Sequence, residues 1–398
     1  MAFRVRFSAV PDLDARTIAA WAELEQRALE PNAYLSPSFV LPSIRGLKPQ
    51  AQPIACVVET EAPGAPELVG LGVFQTVRGS RPFPLPHLRA YRSRHSYLSG
   101  LLLDRTVAVA AAEALFRWLR SKHSRWHGVD IHGQLGDESG NNELTRAIAA
   151  GGATWHPRWL TPRAVLVPAR AGEAYLHERL ASGRAKDLRR RWRRLEEQGP
   201  VRWRALRGAG ITPACIERFM DLEHLGWKGQ EGTSLRSRPE DGQFFRQMIA
   251  EFAARDRAVF TELSVGDTVV ASTSNLISGK RGFAFKLGWH PDYHRMAPGL
   301  LNEVEFIRNA PAVFEGLDFI DSGAAEGSFL EELWSERRAL VSGAYAATPV
   351  ARRLLQAIDA ARRLKRWGRG LVRQASPKDK PPLPTRTASG GMERSPGG

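Results

Sequence analysis

Cysteine is scarce in this chain. Only Cys56 and Cys215 carry thiols, and neither stands in a metal-ligand or redox spacing. A disulfide framework is therefore excluded as the source of the fold. Both thiols are expected to be reduced and buried, and no metal site is expected. Long apolar runs are missing as well: no segment approaches the ~20 residues that a membrane-spanning helix needs. The opening stretch MAFRVRFSAVPDLDA lacks the continuous apolar core of a secretory signal, which points to a cytoplasmic chain. Acidic residues are the scarcer charge, 42 against 57 basic ones, for a net charge of +15. The excess is local. Arg179–Arg207 holds eleven basic residues against three acids, and Ala351–Lys380 holds ten against two, while the rest is near neutral. A generally basic surface is thus excluded.

At 398 residues and 43% hydrophobic content, the chain suits two cores and a tail. Its most informative stretch is GFAFKLGWHPDYHRMAPGLLNEVEFIRNA, residues 282–310. Phe283, Phe285, Leu287 and Trp289 alternate as in a half-buried strand, and Leu300, Leu301, Val304 and Ile307 have helical spacing. Between them a polar loop with His294 and Arg295 closes in Ala297-Pro298-Gly299. Proline suits the first turn of a helix, and glycine leaves the backbone open. A strand, a loop, a glycine and a helix start form an anion site, because free N–H groups and the positive dipole end face outward. A solvated loop before an ordinary helix has the same spelling.

The surroundings predict helices over Thr212–Leu225 and Pro239–Arg255, then strands over Ala258–Val265 and Thr268–Ile277 joined at Gly266-Asp267. A strand over Leu317–Asp321 and a helix over Ser328–Leu340 follow. Helix, helix, three-stranded meander, helix, strand, helix resembles the GNAT acyltransferase fold. The segments SGRAKDLRRRWRRLEEQG, FMDLEHLGWKGQEGTS, FKLGWHPDYHRMAPGLLNEVEFI and DFIDSGAAEGSFLEELW, spanning about residues 178–340, look closer to one branch. That branch is the CelD-like, cellulose-biosynthesis-associated acetyltransferases, related to the Fem-type aminoacyltransferases. The branch usually has Ser-Pro-Gly where this chain has Ala297-Pro298-Gly299, and often a Lys where it has Glu331 and Glu332.

The first half repeats the order. It reads as helices over Asp14–Leu29, with Asp14 as N-cap, and Pro37–Arg45; strands over Ile54–Glu59, Leu68–Val77 and Tyr97–Leu103; then helix Thr106–Ser121, strand Gly128–His132, helix Asn142–Ala150 and strand Ala164–Val167. Arg78–Arg94 reads as a long loop. The expectation is an α/β chain with a mixed sheet and tandem GNAT-like domains: residues 1–170 without a phosphate loop, and 171–348 carrying the cofactor site. A basic amphipathic helix over 349–375 and a disordered tail over 376–398 complete it. In the first half, Asp104-Arg105-Thr106 occupies the loop position with no glycine and no room for a phosphate.

The resemblance implies acetyl-CoA or another acyl-CoA as cosubstrate, with no metal. Met296, Ala297, Pro298, Gly299, Leu300 and Leu301 would face the pyrophosphate, with Arg295 beside them. The Phe283–Trp289 strand, Lys286 and Trp289 included, would hold the pantetheine arm. Trp227 and Lys228 lie in the loop over the acceptor, which would be a small molecule or glycan precursor of exopolysaccharide or envelope assembly. Acyl transfer needs a base near the nucleophile; Asp321 is the first candidate and Glu326 the second, and either can instead cap the next helix. The basic helix Leu176–Gln198, with Ser182 as a cap, reads as a solvated face, as a surface for an anion such as CoA, tRNA or a lipid head group, or as a specific nucleic-acid binder. Residues 350–372 can pack on the domain or lie on an anionic membrane, at its inner face. The alternatives to the acyl-CoA reading are a Fem-type aminoacyl-tRNA-dependent transferase and a non-catalytic membrane-associated scaffold.

Overall fold

The computed structural model describes residues 2–61, 66–137 and 141–374. The first half supplies β1 (Phe3–Ala9), β2 (Ile54–Thr60), β3 (Leu68–Val77), β4 (His87–Ala90), β5 (Leu102–Leu103), β6 (Gly128–Gly136) and β7 (Thr154–Leu166). Its helices are α1 (Ala15–Arg27), α2 (Pro37–Leu47), α3 (Ala108–Arg120) and α4 (Glu143–Ala150). The second half supplies β8 (Val201–Arg207), β9 (Ala258–Val265), β10 (Thr268–Ser278), β11 (Arg281–Trp289), β12 (Phe319–Asp321) and β13 (Glu336–Ala346). Its helices are α5 (Glu173–Arg179), α6 (Ser182–Glu196), α7 (Pro213–Leu225), α8 (Trp227–Gln230), α9 (Pro239–Ala253), α10 (Pro298–Val313) and α11 (Leu330–Leu333), and α12 (Pro349–Gln374) ends the described chain.

The two halves repeat one topology. In the first, β1 to β4 run antiparallel in order and β4 lies parallel to β6. In the second, β8 to β11 run antiparallel in order and β11 lies parallel to β12. The thirteen strands of the described residues nevertheless form one sheet, because the halves exchange their last strands. β7 of the first half sits between β12 and β13, and β13 of the second half sits between β7 and β6. The β13–β7 pairing runs from Glu336↔Val165 to Ala346↔Thr154. The described residues up to Leu355 form one compact unit, and those from Gln356 to Gln374 belong to another.

Strand β11 forms over the alternation read at Phe283–Trp289, and the β9–β10 hairpin turns at Gly266, φ +54°. Asp14 caps α1 by accepting from the Thr17 N–H at 2.7 Å. Both thiols are free and buried. Six segments differ from expectation. The helix expected over Ser328–Leu340 is the four-residue α11 followed by β13. LEELWSERRAL has helical spacing, but two long neighbouring strands give Glu336–Ala346 a full set of ladder bonds, and that context overrides propensity. The basic helix breaks into α5 and α6, and Ala181, not Ser182, holds the N-cap position of α6 without a side-chain bond. The Arg78–Arg94 loop contains β4, and the strand expected at Tyr97–Leu103 shrinks to β5. Strands β1 and β8 form in stretches that were assigned no element; both are half-buried edges. In α12, Leu355 is buried while Leu364 is exposed. Among the described residues no helix is long and apolar enough to cross a membrane. The tail over 376–398 lies outside the described residues.

Helix α10 lies on β8–β11 and packs Leu301, Val304, Ile307 and Ala310 against Val259, Leu263 and Val270. Glu303 is buried in the same layer, and its Oε1 accepts from Trp334 Nε1 at 2.8 Å. Burial lifts its pKa to about 7, against the opposing pull of the Trp334 bond. A carboxyl raised on folding favours the folded state while protonated and loses that contribution as pH rises through the folded value. Glu303→Gln, which keeps an acceptor for Trp334, is therefore expected to match the wild type near pH 5. Above pH 7 it should exceed the wild type by on the order of 3 kcal/mol. Urea unfolding at the two pH values checks this; an equal difference at both would contradict it.

Candidate functional site

Strands β11 and β12 pair over Arg281–Phe283 and Phe319–Asp321 only. Beyond that point the chain after Asp321 follows β7, with the Ser322 N–H on the Ala164 carbonyl at 3.1 Å, and β11 runs on toward Trp289. A gap opens between them. Its open end is built by the end of β11 and the start of α10. The Pro291–Met296 turn ends at Ala297, whose φ of +50° and ψ of +59° put it in the left-handed region. Pro298 then starts α10. The Ala297 carbonyl accepts from the Leu300 and Leu301 N–H groups at 3.0 and 3.1 Å, and proline has no N–H. Among the described residues no acceptor bonds the Gly299 N–H. A Cβ on Gly299 would meet Trp289 Cδ1 at 3.4 Å, so this backbone faces the β11 tryptophan directly.

The space so formed is a cavity of about 200 Å³ lined by Leu287, Trp289, His294, Ala297, Pro298, Gly299, Leu300 and Phe329. Of the residues the sequence offered for a cofactor, Trp289, Ala297, Pro298, Gly299 and Leu300 meet there. Leu301 faces a neighbouring groove instead. Lys286 points to Glu223, 3.8 Å from its Oε1. Arg295 is exposed, its carbonyl accepting from Arg191 at 3.0 Å, and Met296 packs into the core layer of α10. Of the remaining lining residues, the sequence places His294 only as part of the loop and Leu287 only as part of the strand, and gives Phe329 no role. Leu287 shares the alternation of Trp289, so that signal was present; Phe329 comes from 40 residues away and had none.

The acceptor-loop residues separate. Trp227 is exposed. Lys228 donates to Glu223 Oε1 at 2.9 Å and to the Leu287 carbonyl at 3.1 Å. Glu223 is buried, and its other oxygen accepts from the Leu235 N–H at 2.9 Å. A Cβ on Gly288 would sit 2.7 Å from the Glu223 backbone nitrogen, so only glycine lets α7 approach β11 this closely. On the same strand the Tyr97 hydroxyl donates to the Phe285 carbonyl at 2.9 Å. Two successive carbonyls on the gap side of β11 are thus already bonded.

Asp321 ends the β11–β12 pairing and is fully buried. Burial raises its pKa, while the nearby Arg163, 3.8 Å away, opposes the shift. Among the described residues its Oδ2 has no hydrogen-bond partner, nor does Arg163 Nη1 or the buried Tyr34 hydroxyl. Glu326 is exposed on the following loop, and neither carboxylate lines the cavity. Glu331 and Glu332 present backbone carbonyls to Arg179, and Glu332 pairs with Arg184 at 3.1 Å.

The equivalent position in the first half is closed. Asp104 precedes α3, accepts from the Thr106 N–H at 2.9 Å and pairs with Arg27 at 2.5 Å. Burial opposes ionisation there, but the Thr106 and Arg27 bonds hold the carboxyl below its usual pKa. A fixed carboxylate before α3 repels an anion.

A left-handed alanine costs about 1–2 kcal/mol relative to its relaxed conformations, a strain common where backbone serves a site. Ala297→Gly is expected to raise stability by up to about 1 kcal/mol, read from the urea midpoint; destabilisation by that amount would show that Ala297 is unstrained.

Residues 182–329 match the family described as acetyltransferase (GNAT) domain. No curated protein matches the sequence. Among solved structures, FemX is similar at 10% identity with a TM-score of 0.54, covering 89% of this chain and 99% of FemX. A tandem GNAT protein from the clavulanic acid biosynthesis pathway is similar at 16% identity and a TM-score of 0.41, covering 87% of this chain and 99% of its own. The FemX likeness concerns the fold, at this identity, and spans both halves. The cavity residues Leu287 to Phe329 all fall inside the matched segment, and this chain carries a GNAT-type acyltransferase domain over residues 182–329.

Proposed function

We propose that the chain transfers an acyl group, acetyl in the first instance, from acyl-CoA to an amine or hydroxyl. The observation that carries this reading is the N-terminus of the 16-residue α10 opening on the Trp289 cavity, inside the matched segment. The left-handed Ala297, the unbonded Gly299 N–H and the helix dipole fit a pyrophosphate. A cavity of about 200 Å³ admits part of such a cosubstrate and leaves the rest at the surface.

Acyl-CoA supplies a thioester carbonyl; the acceptor nitrogen or oxygen forms the new bond to it, the C–S bond breaks, and the acceptor gives up its proton. The chain's part is positioning and proton custody. Ala297–Leu300 hold the phosphates, and Trp289 and Phe329 exclude water beside them. Trp227 and Lys228 flank the acceptor. The Leu287 carbonyl is held by Lys228 and the Phe285 carbonyl by Tyr97. An arm bound along β11 therefore uses the strand's N–H groups or displaces Lys228. Asp321, at the closed end of the gap, receives the proton directly or through water, with Glu326 as the second candidate. The raised pKa of Asp321 makes the rate fall, as pH drops, at a higher pH than for an ordinary carboxylate. Asp321→Asn should remove that limb of the profile.

The CelD-like reading adds an acceptor from exopolysaccharide or envelope assembly and a peripheral contact of 350–372 with an anionic membrane. The Fem-type reading keeps the fold and exchanges the donor for aminoacyl-tRNA; Arg189 and Arg194 on α6, exposed and without an ion-pair partner among the described residues, favour it. It predicts salt-sensitive tRNA binding.

Calorimetric titration with acetyl-CoA tests the donor. Gly299→Asp adds bulk and like charge beside Trp289 and should weaken binding at least tenfold with the circular dichroism spectrum intact. Gly299→Ala, whose Cβ makes ordinary contact at 3.4 Å, should weaken it less. Undiminished affinity in the Asp variant would remove the assignment.

A further inference from the structure

Helix α6 lies beside α10 and is tied to the loop before it, with Arg191 Nη1 donating to the Arg295 carbonyl at 3.0 Å. Between the two helices runs a groove of about 730 Å³. Its floor includes Leu188, Leu301 and Val304, and its rim carries Lys186, Arg189 and Arg193 at helical spacing. The other charges nearby are matched. Asp187 holds Arg190 and Arg191 at 2.5 and 2.7 Å, Glu305 pairs with Arg308, and Glu196 accepts from Trp192 Nε1 at 2.8 Å. Lys186, Arg189 and Arg193 have no such partner among the described residues, and all three are exposed.

The groove continues the site already described. Ala297 to Leu300 face the Trp289 cavity, and Leu301 and Val304, on the next turn or two of the same helix, face the groove. One helical turn is ~5 Å. A ligand whose phosphates sit at the α10 N-terminus therefore reaches the groove with its next chemical group. That group must present apolar area to the floor and a further anion to the rim.

Resting on the acyl-CoA reading, we propose that this groove binds the adenosine 3′-phosphate end of the donor. Leu188, Leu301 and Val304 lie under the base, and Lys186, Arg189 and Arg193 hold the 3′-phosphate. Helix α6, which precedes the first strand of the second half, thereby becomes a determinant of donor specificity and not a solvated face.

Titration of the full chain with CoA and with 3′-dephospho-CoA at moderate salt tests this. The wild type should bind CoA at least tenfold more tightly. The triple variant Lys186→Ala/Arg189→Ala/Arg193→Ala should bind CoA only as well as dephospho-CoA, whose affinity it leaves unchanged. Arg194→Ala, on the same helix but outside the groove, should keep the wild-type ratio. Equal binding of the two ligands by the wild type would overturn the proposal while leaving the donor reading intact. Equal loss of both in the triple variant would reduce the three side chains to a general attraction or a structural role. If neither ligand binds, the donor reading falls and the groove assignment with it. Capture of the wild type but not the triple variant by anionic vesicles, with no CoA preference, would assign the groove to lipid instead.

Discussion

The second half depends on a pairing that stops early. β11 and β12 share three residues and then part, because the chain after Asp321 bonds to β7. Had the two strands stayed paired to Trp289, the N-terminus of α10 would face a closed sheet. The parting instead leaves Trp289 and Gly299 a shared cavity, and Asp321 stands where the pairing stops, outside the lining of that cavity. The exchange of β7 and β13 between the halves enforces the parting: β7 is a long strand of the first half, fixed on its other side by β13. The first half therefore shapes the second half's candidate site, while its own helix α3 is preceded by Asp104 and not by a glycine. Tyr97 shows the same dependence, reaching from the first half to the Phe285 carbonyl.

The two halves share a topology and differ in the residue before one helix. Before α10 stands an alanine in a left-handed conformation, then Pro and Gly. Before α3 stands Asp104, bonded by Thr106 and Arg27. The helix start that leaves the Gly299 N–H unbonded in one half has, in the other, a carboxylate standing before it that is held by Thr106 and Arg27 and makes no cap bond to α3 itself.

Much of this was legible in the sequence. Strand β11 has alternation over Phe283–Trp289, the β9–β10 hairpin has a Gly-Asp turn, and the α10 loop has Pro and Gly where a helix start needs them. Asp104 in place of a glycine was visible too. Two kinds of feature were hidden. Strands whose identity comes from their neighbours, above all β13, carry helical spacing that only the pairing overrides. Side chains that act across the fold, such as Phe329, Tyr97 and Arg163, have no local signature. Lys286 illustrates the converse: its strand position was read correctly, but Glu223, brought in by the close approach at Gly288, draws it away from the cavity.

The central claim is that a fold built twice binds its donor once. Hydrogen–deuterium exchange of the full chain with and without acetyl-CoA tests it most directly. The account predicts protection of peptides covering residues 287–301, and no change in those covering 102–108 before α3. Protection at the first-half position, or none over 287–301 at a saturating ligand concentration, would contradict it.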